Sequence, residues 1–154
     1  LEDEFSQSTQ LFDYKNNLKV NEFYNRNNFV SKKDVYSISK KDDEEKFLEE
    51  LISTEKYFYD LENRIVKVET NKKSSEVVVK YSYDKNFKNP DEVIFENEIK
   101  KSEKKYSSDF DYTYEVYLDE NYSVKSIYKN SIKVEESIYL DGKKIRTSRE
   151  VDYE

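Results

Sequence analysis

From residue 57 to the end of the chain, apolar and polar side chains alternate with a period of two, as in strands whose successive residues face opposite sides of a sheet. The longest such run sets Phe110, Tyr112, Tyr114, Val116 and Leu118 against Asp109, Asp111, Thr113, Glu115, Tyr117 and Asp119. That pattern predicts a strand with one packed and one wet face. Val77, Val79, Tyr81 and Tyr83 alternate in the same way, and Val93, Phe95 and Ile99 follow a loop that holds Pro90. Further strands are expected over 122–128, 132–140 and 145–153, the last after Asp141-Gly142, a strong two-residue hairpin signal. Glu62-Asn63, between Tyr57, Tyr59 and Leu61 on one side and 65–68 on the other, signals another hairpin.

Upstream the period changes. Phe47, Leu48, Leu51 and Ile52 make a narrow stripe at helical spacing, with Ser39 or Asp42 as cap and Asp43, Glu44 and Glu45 at the positive end of the helix dipole. A helix over about 42–54, lying on a sheet, is the expectation. A short strand is expected over 18–24, in an otherwise irregular segment 1–33 whose Asn16-Asn17 and Asn27-Asn28 mark turns, and another over 35–38. The expected fold is α+β and mainly β, in a single domain over 1–154. A short strand and helix occupy 34–56, and 57–154 forms a curved antiparallel meander, with about seven to nine strands in all and the helix packed on one face.

Charged residues make up 40% of the chain and apolar ones 35%, a balance that first raises disorder. The 15 Tyr and 9 Phe oppose that reading, because rings that each bury about 150–250 Å² supply a core that the scarce aliphatics do not. A net charge of −7 argues against a nucleic-acid backbone or an anionic membrane surface as partner. No run approaches the roughly 20 apolar residues of a membrane-spanning helix. With no Cys and no His, thiol catalysis, thiolate metal sites and the commonest general base are excluded, and no cofactor or metal is expected. The chain opens at Leu1 and holds no Met, which we read as an upstream signal sequence, with a lipid anchor as one form of it.

A phrase recurs where strands end: Tyr59-Asp60-Leu61-Glu62-Asn63-Arg64-Ile65, Tyr83-Asp84-Lys85-Asn86, Tyr117-Leu118-Asp119-Glu120-Asn121 and Tyr139-Leu140-Asp141-Gly142-Lys143-Lys144-Ile145. It describes a strand ending in Tyr, an Asp that bonds its own backbone, an Asn or Gly that accepts positive φ, and a return strand. Over residues 57–154 it resembles the tyrosine–aspartate (YD/RHS-like) and MORN-type β-hairpin repeats of bacterial secreted and surface proteins. That resemblance implies an extracytoplasmic β scaffold that binds or encloses something, and carries no catalytic residue with it.

Little else suggests chemistry. Asp109-Phe110-Asp111 has the form of a metal–nucleotide string, but alternation assigns both carboxylates to a solvated strand face. The oxygen-rich stretch from Asp84-Lys85-Asn86 to Asp91 lacks the glycine and terminal glutamate of a calcium loop. Tyr114, Tyr117, Tyr122, Tyr128 and Tyr139 are the candidate binding residues, an aromatic surface for a carbohydrate or protein ligand, with Tyr114 and Tyr117 on opposite faces. The leading expectation is a non-catalytic secreted or surface binding or structural module. The alternatives are an acidic intracellular immunity or antitoxin-like protein covering a basic partner, a lipid-carrier-like trough between helix and sheet, and a glycoside hydrolase using two of the 34 carboxylates.

Overall fold

The computed structural model describes residues 5, 7–40, 47–83 and 86–149, and all twelve of their regular elements are β-strands. These are β1 (Gln7–Asp13), β2 (Leu18–Tyr24), β3 (Val30–Lys40), β4 (Phe47–Tyr59), β5 (Ile65–Lys72), β6 (Ser75–Ser82), β7 (Asp91–Glu96), β8 (Ile99–Tyr106), β9 (Tyr112–Tyr117), β10 (Tyr122–Lys129), β11 (Ile132–Leu140) and β12 (Lys143–Arg149). The chain divides into two compact units, 1–78 and 79–154, with the boundary inside β6. In the first unit the hydrogen-bonded order is β1-β2-β3-β4-β5, and in the second β7-β8-β9-β10-β11-β12; consecutive strands pair antiparallel.

The expected α+β fold with a helix over 42–54 is therefore wrong: among the described residues the chain is all-β. Residues 47–54 belong to β4, and 41–46 lie outside the described residues. Two physical reasons account for the strand. Its second half, from Ile52 to Tyr59, is rich in β-branched and aromatic residues that favour a pleated surface. β4 also finds backbone partners along its length, pairing with β3 from Lys40↔Phe47 to Lys32↔Lys56 and with β5 from Ser53↔Lys72 to Tyr59↔Ile65. A register shift opposite Val35/Tyr36 leaves Ile52 without a partner, so the three-and-four spacing of Leu48, Leu51 and Ile52 is absorbed by a bulge. All three are exposed.

The turns explain the register. Asn97-Glu98, Asn130-Ser131 and Asp141-Gly142 are two-residue connections in which both residues have positive φ, the geometry that matches the twist of a hairpin. Asn-Glu and Asn-Ser carry no glycine, and the first of them splits what reads in sequence as one strand, Val93 to Ile99, into β7 and β8. Longer turns are led by Asx side chains. Asp60 Oδ1 accepts from the backbone N–H groups of Glu62 and Arg64 at 2.9 and 3.0 Å, with Asn63 at φ 60°. Asp119 Oδ1 accepts from Asn121 and Tyr122 at 2.7 and 2.8 Å, and Asn25 Oδ1 from Asn27 and Phe29 at 2.9 and 3.1 Å.

Neither unit has an ordinary core. Tyr106 is the one buried hydrophobic residue among those described, beside buried Lys19, Asp34, Ser102, Ser123, Ser126 and Ser137. Contrary to the expected wet and packed faces of the strand around 110–118, every residue of β9 is half-buried, and Phe110 and Leu118 lie in exposed turns. Small serines fill the middle of the ladder while long Lys, Glu and Tyr side chains lie along its faces.

Candidate functional site

In antiparallel strands, directly paired residues share a face, so register sorts the second unit's side chains. Tyr106↔Tyr112↔Tyr128, Lys104↔Tyr114↔Ser126 and Ser102↔Val116↔Val124 run across β8, β9 and β10 on one face. The rings of Tyr106 and Tyr112 lie 5.2 Å apart, and those of Tyr112 and Tyr128 stack at 4.5 Å and 13°. Lys104 Nζ sits 4.3 Å from the Tyr112 ring and 5.2 Å from that of Tyr106. Burial, the largest single effect, lowers the ammonium pKa of Lys104, but the hydrogen bond and charge of Tyr106 together with the charges of Tyr112 and Glu92 outweigh it and hold the group above the ordinary range. Each stacked ring pair adds about 0.5–1.5 kcal/mol beyond its buried area, so this face is stapled by aromatics where a core would otherwise stand.

The opposite face carries a polar network. Glu103 and Glu115 are paired across β8 and β9, where two like charges repel. Cations and hydroxyls intervene. Lys100 and Lys105 bind Glu103 at 2.6 and 3.1 Å, the Tyr117 hydroxyl donates to Glu115 at 3.1 Å and to Glu103 at 3.3 Å, and Ser123 Oγ donates to Glu115 at 2.7 Å. Burial pushes the Glu103 carboxyl up, but the two lysines outweigh it and hold the group below the usual range. Tyr117 is pushed well above an ordinary phenol by burial and by the negative Glu115 and Glu103.

The five candidate tyrosines therefore do not make one surface. Tyr114 and Tyr128 belong to the stapled face, and Tyr117 and Tyr139 to the opposite one. Tyr122 opens β10 opposite Leu140. What the structure does bring together is Tyr117, Tyr122 and Tyr139 around a depression of about 410 Å³ bordered also by Glu115, Asp119, Ser123, Lys125, Asp141 and Gly142. Sequence reasoning missed Tyr106 and Tyr112 as partners of Tyr128, and Ser123 as the floor between two rings, because neither follows without the strand register.

The Asp109-Phe110-Asp111 string has a structural role. It lies in the β8–β9 turn, where Asp109 Oδ1 accepts the Lys88 N–H at 2.8 Å and Asp111 Oδ1 accepts the Asn130 N–H at 2.9 Å. With the Ser131 N–H donating to the Phe110 carbonyl at 2.9 Å, both carboxylates tie neighbouring turns together. Asp84 and Lys85 lie outside the described residues, and no group of acidic side chains fit to hold a metal ion occurs among the described ones. No helix among them is long and apolar enough to cross a membrane. Comparison with known proteins finds no family model, no curated protein and no solved structure that matches the chain.

Proposed function

We propose that the chain is a non-catalytic binding and structural module of a bacterial secreted or surface protein, using a face of its hairpin sheet as the contact surface. The observation that carries this reading is the state of the acidic side chains. Glu103, Glu115, Asp60, Asp109, Asp111 and Asp119 are each engaged by lysines, arginine, hydroxyls or turn N–H groups. A glycosidase needs a facing carboxylate pair with room for substrate between them. Here Glu103 and Glu115 share the Tyr117 hydroxyl instead. The resemblance of the strand-end phrase to secreted hairpin repeats supports the extracytoplasmic placement.

Antibody labelling of intact and permeabilised producing cells tests the reading. Labelling of intact cells is the expected outcome. Signal only after permeabilisation contradicts it, and favours the intracellular alternative in which the acidic chain covers a basic partner.

A further inference from the structure

The depression on the second unit is a cleft built by register. Ser123 on β10 is paired with Tyr117 on β9 and with Tyr139 on β11, so one small residue stands between two tyrosines on the same face. Two strand spacings separate those tyrosines, about 9.5 Å at the backbone, and stacking takes about 3.5–4 Å on each side of an inserted ring. Ser123 is buried, 7% exposed, and its hydroxyl donates to Glu115 at 2.7 Å.

The cleft walls are held from outside. Lys100 on β8 lies 5.1 Å from the Tyr117 ring and Lys144 on β12 lies 5.9 Å from the Tyr139 ring. Both cations come from strands flanking the cleft, and the Tyr117 hydroxyl is fixed by two glutamates. The far end is closed by two turns joined through the Asp141 N–H and the Asn121 carbonyl at 2.9 Å. Around the rim stand Glu115, Asp119, Glu120 and Asp141 against Lys125 alone, so the lining is negative. A volume of about 410 Å³ falls in the lower part of the about 300–1,000 Å³ of small-ligand sites.

Resting on the binding-module reading, we infer that this cleft takes one ring of a neutral or amine-bearing saccharide. Tyr117 and Tyr139 present ring surface to the C–H faces of the sugar, and the acidic rim accepts hydrogen bonds from its hydroxyls or ammonium. The same rim repels anions, so uronic acids and phosphorylated sugars are rejected.

Isothermal titration of the purified chain with maltohexaose, glucosamine oligomers and oligogalacturonate tests the site, with a lysine-rich peptide as the competing ligand class. The neutral or the amine-bearing oligomer binds and oligogalacturonate does not. Ser123→Leu fills the floor and Tyr139→Ala removes one wall, and each weakens binding by about tenfold or more, equivalent to about 1.4 kcal/mol. Tyr139→Ala serves where the leucine variant does not fold, as judged by circular dichroism. Binding of neither oligomer, tightest binding of the anionic oligomer or of the peptide, or binding unchanged in Tyr139→Ala overturns the inference. The two readings fail separately: sugar binding by a chain labelled only in permeabilised cells sinks the extracytoplasmic placement and leaves the cleft, and oligomer recovered cleaved sinks the non-catalytic reading alone.

Discussion

At the scale of single residues, the chain solves the turn problem almost without glycine. Asn17, Asn28, Asn63, Asn97 and Asn130 all hold positive φ, where asparagine is better tolerated than most side chains. Gly142 is the exception, at φ 78°, and a Cβ there meets nothing within 4 Å. Its requirement is therefore conformational and not steric. Gly142→Val should destabilise the second unit by about 1–2 kcal/mol and Gly142→Asn by much less, read as shifts in the urea midpoint at constant slope. Equal shifts for the two variants contradict this account. These turns were legible in the sequence where Asp or Asn was followed by Gly or flanked by clear alternation. Asn97-Glu98 was not legible, because glutamate carries no signal for positive φ.

At the scale of elements, β4 is the instructive strand. Its acidic upstream neighbours and three-and-four apolar spacing read as a capped helix, and the β-favouring residues from Ile52 to Tyr59 together with the backbone offered by β3 and β5 decide otherwise. Helix propensity is a weak preference, and a short helix with four apolar residues gains little on its own. β4 also carries Tyr57 and Tyr59 on one face, two positions apart. Burial raises both phenols above the ordinary value, and the hydrogen bond from the Tyr57 hydroxyl to Glu55 raises Tyr57 further. The protonated phenol is the form favoured in the folded state, so its stabilising contribution is complete below about pH 10 and is lost as pH rises toward the folded value. Phenolate absorbance should show Tyr57, Tyr59, Tyr81 and Tyr117 ionising late, above the ordinary phenol value and as the chain unfolds. A single step near pH 10 that accounts for every tyrosine runs against it.

At the scale of the molecule, each described strand within a unit pairs antiparallel with its neighbour in sequence. Long side chains do the covering: Lys33 lies 5.6 Å from the Tyr57 ring, Lys67 is 4.2 Å from that of Phe58, and buried Lys19 pairs with Glu49 at 2.5 Å beneath Tyr36. Lysine stems packing along rings replace the aliphatic interior that composition already showed to be scarce. The antiparallel sheet and several strand positions were legible in the sequence, whereas the packed and wet faces expected around 110–118 were not. The cleft between Tyr117 and Tyr139 was not, since it depends on which residue of β10 falls opposite each ring.

Among the described residues Tyr106 is the one buried hydrophobic side chain, and the scarcity of a packed apolar core is the claim on which the fold depends. Differential scanning calorimetry measures it through the heat capacity of unfolding, which scales with the apolar surface exposed. An ordinary globular chain of this length gives about 1.8–2.3 kcal/mol/K. A value clearly below that range is expected here, and one within or above it means that a buried apolar interior exists and contradicts the account.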